Sequence, residues 1–147
     1  MQKLEELAYP GKGIRFSPYG HIDLDKDQVF RGEEISNLWS NDTRYVWGVQ
    51  EGSGEPIVLS FAEYYARYVW DYDFRKAPEV KWNEVTERGT LINNTDDAYP
   101  DAEWVEMHFP GFDPQYGGMD WRSLRLMYEQ DGCTWRLVGI AHDECTP

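Results

Sequence analysis

Residues 123–142 read SLRLMYEQ, then DG, then CTWRLVGIAH. Asp131-Gly132 is a dipeptide favoured by a two-residue type I′ turn, which needs a positive φ at both central positions. Runs of alternating apolar and polar residues flank it, so the stretch predicts a β-hairpin. A turn at Asp131-Gly132 sets the register: Tyr128 opposite Trp135, Met127 opposite Arg136, Leu126 opposite Leu137. One face is then Leu124, Leu126, Tyr128, Trp135 and Leu137, which is assigned to the core. The other carries Trp121, Arg125, Glu129, Arg136, Val138, Ile140 and His142. Val138 and Ile140 make that second face too apolar for open solvent, so it lines a pocket or meets a partner, a second copy of the chain included.

Upstream, EWVEMHF (103–109) alternates Val105, Met107 and Phe109 against Trp104, Glu106 and His108, the pattern of another strand. NTDDAYPDAE (94–103) reads as an acidic loop, EVTERGTLINN (84–94) as a strand, and 76–83 as a Pro-containing loop. The best helix starts after Ser60, with Glu63 placed to complete a capping box. Phe61, Tyr64, Tyr65, Tyr68 and Tyr72 recur along it at helical spacing. Nearer the start, RYVWGVQ (44–50) is a strand followed by the turn EGSGEP. GEEISNLW (32–39) is a short helix with Ile35, Leu38 and Trp39 inward, and KLEELAYP (3–10) is a helix stopped by Pro10. Helical pieces, one aromatic helix and then consecutive strands make a single α+β domain over residues 1–147. A curved antiparallel sheet wrapped on the aromatic helix, NTF2-like or cystatin-like, fits that order.

The 147 residues include seven Trp, ten Tyr and six Phe, enough to build a sizeable core and to exclude a disordered chain. The formal charge is −13. Such a field repels phosphate backbones and anionic membrane surfaces, which excludes general nucleic-acid binding. No apolar run approaches the roughly 20 residues that span a bilayer, and the first residues lack a signal-peptide pattern. Cys133 and Cys145 bracket a predicted strand. Twelve extended residues span roughly 40 Å, whereas disulfide partners need Cα atoms within about 7 Å, so the two thiols are read as unpaired.

GIRFSPYG (13–20), YVWGVQEGSGEPI (45–57), Tyr64-Tyr65, INN with YP (92–100) and MDWRSLRLMYEQ followed by WRLVGIAHDE (119–144) occur in that order. Together they resemble an uncharacterised group of bacterial exported proteins and lipoproteins carrying GVRFSPY, WG-x-x-x-GSG-x-PI and MDWRSLRLVF motifs. The resemblance covers nearly the whole chain and implies an extracytoplasmic domain. It carries no activity over to any residue. HDECTP (142–147) departs from the more aromatic tail of that group.

Three chemistries are open to these residues. DLDKDQVFRGEE (23–34) places Asp23, Asp25, Asp27 and Glu34 at the oxygen-ligand spacing of an EF-hand calcium loop. Gln28 stands where that loop needs glycine, and no helix precedes it, so a solvated acidic loop is the simpler reading. His142 or His108, with Glu106 or another carboxylate beside it, could do acid–base work as an isomerase or dehydratase does. A plain solvent face would look the same for Glu106 and His108. Finally, Trp121, Arg125, His142 and Trp70 could line a ligand site, aromatic faces suiting a glycan or an apolar ligand. Ordinary cross-strand pairing is the commoner use of Arg122 and Arg125. The reading that leads is a non-catalytic extracytoplasmic domain that binds a small ligand or a protein. A small acid–base pocket enzyme is the alternative, and a calcium-stabilised structural module comes third.

Overall fold

The computed structural model describes residues 3–84 and 93–145. It is an α+β structure. In chain order the elements are α1 (Leu4–Leu7), β1 (Ile14–Ser17), β2 (Gln28–Phe30), α2 (Gly32–Leu38), β3 (Arg44–Val49), β4 (Pro56–Ser60), α3 (Phe61–Tyr68), β5 (Glu79–Trp82), α4 (Thr95–Ala98), β6 (Glu103–Phe109), β7 (Arg122–Asp131) and β8 (Thr134–Glu144). Six strands form one curved sheet in the order β2-β1-β8-β7-β6-β5, and β3 and β4 form a separate hairpin. The sheet is mixed rather than wholly antiparallel, because β1 runs parallel to β8.

The β7–β8 hairpin forms, with two corrections to the sequence reading. Its turn is Gly132-Cys133, with Asp131 pairing with Thr134. Gly132 has φ 62°, and neither neighbour shares a positive φ. One glycine at the first central position suits a II′-type turn, whereas I′ would need two such residues. The register therefore moves by two residues, Tyr128 facing Leu137, and near the turn the faces are unchanged because the side-chain period is two.

The second correction reverses faces. Beyond Tyr128–Leu137 the register shifts again, so that Met127 pairs with Gly139 and Leu126 with Ile140, leaving Val138 as the extra residue of a β-bulge. Ile140 and His142 thereby join Leu124 and Leu126 on the core side, whereas Val138 stays on the opposite face. The apolar pair that pointed to a dimer surface is consumed inside the chain on two sides of one sheet.

On the first side, Phe16, Leu124, Leu137 and Ile140 pack beneath α3 and the β3–β4 hairpin. Trp47 is the centre of this core. Its ring stacks on Tyr64 with centroids 3.9 Å apart, and its indole N–H donates to the Leu59 carbonyl. The predicted capping box is present: Ser60 Oγ accepts from Glu63 N–H at 3.3 Å and Glu63 Oε1 accepts from Ser60 N–H at 3.0 Å. The helix stops at Tyr68, where Val69 leaves helical geometry and the N–H groups of Val69 and Trp70 both bond to the Tyr65 carbonyl. Tyr72 is thus off the helix, and stacks on Phe112 instead.

The second side carries a smaller core of Ile22, Trp104, Met127, Val138 and Ala141. The loop 18–27 and the segment 93–102 close over it. As a result β6 is covered on both faces: Trp104, Glu106 and His108 are buried, not on a solvent face. Residues 79–82 are strand β5 where a loop is expected, with Pro78 just before its first residue, a position that needs no ladder donor. The acidic loop contains the short helix α4. Most of the strand predicted over 84–94 lies outside the described residues.

Candidate functional site

His142 is the residue around which polar side chains converge. It is 0% exposed, on the core face of β8, with its Nε2 3.0 Å from both carboxylate oxygens of Asp71. A carboxylate accepts, so this contact places a ring proton on Nε2. Asp71 reaches His142 because α3 ends at Tyr68 and the chain turns back over the sheet. Arg122 on β7 spans the same group: its Nε lies 3.3 Å from Asp71 and its Nη1 2.9 Å from Glu144. The Nε–Asp71 contact is an ion pair without an aligned hydrogen bond. Arg67, from the last turn of α3, closes the ring at 2.8 Å from Glu144.

Aromatic rings insulate this network. Tyr68 and Phe74 stand edge-on to the imidazole, and Arg67 lies over the Tyr68 ring. Tyr19 packs against Tyr68, and burial pushes its hydroxyl up to about 12. His142 Nδ1 makes no hydrogen bond among the described residues, and Glu144 Oε1 stands 4.0 Å from it. The arrangement can orient an imidazole and hold a proton on it. Its closest charged neighbours nearly balance, two guanidinium groups against two carboxylates.

A second polar cluster lies on the other side of the sheet. Arg125 and Glu106 are cross-strand partners, Nη2 to Oε1 3.2 Å, and both are buried. Arg125 also donates to Thr95 Oγ1 at 2.7 Å and lies over the Trp104 ring. His108, 1% exposed, contacts Ser123 Oγ through Nδ1 at 2.5 Å and packs against Trp121. Beside Ser123 across the strands is Asp143, whose carboxyl is pushed up to about 6 by burial, with Glu51 adding to the effect and the Glu144 N–H, Arg125 and His142 opposing it.

The sheet therefore separates residues that the sequence grouped. His142 lies on one side, Arg125 and its Glu106 partner on the other, and the Val138 bulge is the reason. Trp121 is buried beside His108. Trp70 is 39% exposed, resting on Phe74. Two residues on, Tyr72 (39% exposed) stacks on Phe112 (41% exposed) with centroids 4.2 Å apart, and Phe109 adjoins both. Asp71, the partner of His142, carries no sequence signal, because nothing in WDYDF marks which aspartate turns inward.

The residues 23–34 do not converge as a calcium loop. Asp27 accepts from Ser17 Oγ at 2.5 Å and from Asp23 N–H at 3.0 Å. Asp23 Oδ1 accepts from the N–H groups of Asp25 and Lys26. Glu34 sits on α2 and accepts from Arg31 N–H and Nε. Among the described residues no group of three or more His, Cys, Asp or Glu side chains is placed to hold a metal ion. Asp23 and Asp25 instead line a shallow groove of about 310 Å³ with His21, Leu24, Asn94 and Asp97.

No helix among the described residues is long and apolar enough to cross a membrane. No family model, no curated protein and no solved structure matches the chain.

Proposed function

We propose that this chain is an extracytoplasmic binding domain without catalytic activity, built as a variant of the NTF2-like or cystatin-like plan, and that it meets its ligand or protein partner through the aromatic surface of Trp70, Tyr72 and Phe112. The observation that carries the reading is a contrast. His142 and His108 are enclosed and engaged with Asp71 and Ser123, whereas the stacked Tyr72–Phe112 pair and Trp70 remain on the surface. Exposed aromatic surface beside loops is the ordinary material of a recognition face, since it offers apolar area at little entropic cost. The extracytoplasmic placement rests on the motif resemblance. Glycan and envelope-protein arrays probed with wild type and with a Tyr72→Ala, Phe112→Ala double variant test the proposal. A binder whose signal falls at least ten-fold in a variant that melts like wild type supports it. Binding indifferent to both substitutions overturns it.

The Asp71–His142 pair favours a second reading, acid–base chemistry, because a carboxylate fixes the tautomer of an imidazole whose other nitrogen has no described partner. Turnover of a carbonyl or hydroxy-acid substrate, lost in His142→Gln with the fold intact, would replace the binding reading with this one.

A further inference from the structure

We propose that the outer edge of β5 pairs with the same strand of a second copy of this chain, antiparallel about a two-fold axis at Val80, so that two six-stranded sheets become one. β5 ends the sheet, and among the described residues no strand pairs with its outer side. One hydrogen bond gives the direction of its backbone groups. Asn83 N–H donates to the Trp104 carbonyl, so at the two-residue period of a strand Lys81 and Glu79 also turn their peptide groups toward β6. Val80 and Trp82 therefore aim N–H and C=O away from the sheet. Their side chains are exposed as well, Val80 by 55% and Trp82 by 62%, the most exposed aromatic ring among the described residues. An edge of this kind is a template for another strand.

The charges choose the occupant. From residue 79 to 82 the strand reads Glu-Val-Lys-Trp. Antiparallel pairing centred on Val80 sets Glu79 of each copy opposite Lys81 of the other, Val80 opposite Val80, and Trp82 opposite the exposed Pro78. Two reciprocal ion pairs then lie on one face of the joined sheet, and the valines and tryptophans on the other. The two Val80 residues exchange both of their N–H···O bonds. The neighbouring register that uses the same outward groups is centred on Lys81. It sets two ammonium groups directly opposite each other, which opposes it. Glu79, which also lies 4.0 Å from His108 Nε2, keeps its side chain 39% exposed, and a carboxylate accepts from several donors at once. The interface is short and each copy carries a formal charge of −13, so the dimer is weak and forms best where salt screens the general repulsion.

Sedimentation velocity at about 150 mM salt tests the pairing. Wild type should pass from the 17.3 kDa monomer toward twice that mass as its concentration rises from about 5 to about 500 µM. Glu79→Lys and Lys81→Glu should each weaken the dimer about ten-fold or more, because each sets like charges opposite one another. An equimolar mixture of the two variants should recover it as a heterodimer, which a merely structural role for either residue would not produce. A wild type that stays monomeric, the result expected if another protein or a segment of its own chain fills the edge, overturns the proposal. A dimer indifferent to both reversals, or a mixture that does not recover, also overturns it. If Glu79→Lys does not fold, Val80→Asp decides, since it faces its own copy across the axis. Loss of the dimer in that variant supports the pairing, and an unchanged dimer overturns it.

Discussion

The Nε2 of His142 sits equidistant from the two oxygens of Asp71, 3.0 Å from each, so a residue of the last strand is bound to the segment that leaves the central helix. Through Arg122 and Glu144 the same contact extends to Arg67. Removing Asp71 leaves the buried His142 Nε2–H without its acceptor and Arg122 Nε without its nearest carboxylate, which costs more than the contact itself contributes.

Asp71→Ala is therefore expected to destabilise the domain by about 3 kcal/mol or more, read as a lower urea midpoint with unchanged m. Arg67→Ala, at the exposed end of the same network, should cost less than about 1 kcal/mol. Similar costs at the two positions would refute the view that Asp71 is the keystone.

The bulge makes its own prediction. A Cβ built on Gly139 would lie 2.5 Å from Met127 Cε, inside the small second core. Gly139→Ala should cost about 1–3 kcal/mol by overpacking. Because the clash is with the end of a flexible side chain, Met127→Ala in the same molecule should lower that penalty. A double-mutant cycle measures the coupling, and strictly additive costs would show that the strain lies in the backbone.

Asp143 gives a pH dependence of defined sign. Its carboxyl is pushed up to about 6 in the folded chain from an ordinary value of 3.8. A raised folded value favours the fold when the group is neutral, so the advantage is complete below about 4 and lost as pH rises through 6. Asp143→Asn should match wild type or fall slightly below it at pH 4, and exceed it by on the order of 1–3 kcal/mol at pH 7.5 and above. Chemical unfolding at the two pH values checks this. A wild type more stable than the variant at pH 7.5 would mean that the carboxylate is paired more strongly than burial opposes it.

Calcium should leave the thermal midpoint unchanged at millimolar concentration, with or without a chelator. Asp23, Asp27 and Glu34 already accept hydrogen bonds from their own loop and helix. An upward shift of several degrees, abolished by Asp25→Asn, would restore the structural-module reading.

Much of the fold is legible in the sequence because it rests on local rules. Ser60 and Glu63 announce the helix, and alternating residues announce β6, β7 and β8. What escapes is non-local. One residue, Val138, moves His142 from one face of the sheet to the other, and no periodicity within β8 marks it, since both faces there are buried. The site suffers most from this. His142 can be picked out as a titratable residue, but its partner Asp71 is set by where α3 stops, and α3 stops where Val69 leaves the helix. Glu106 and His108 look like a wet face until the loop 18–27 and the segment 93–102 are folded over the sheet.

The parallel pairing of β1 with β8 has a consequence for biosynthesis. Phe16 finds its neighbour Ile140 only once β8 has been made, and until then one edge of β1 and the floor beneath Trp47 stay open. Contacts so distant in sequence slow the search for the native state. The first strand must therefore wait for the last, and the aromatic side chains around it need shielding for that interval.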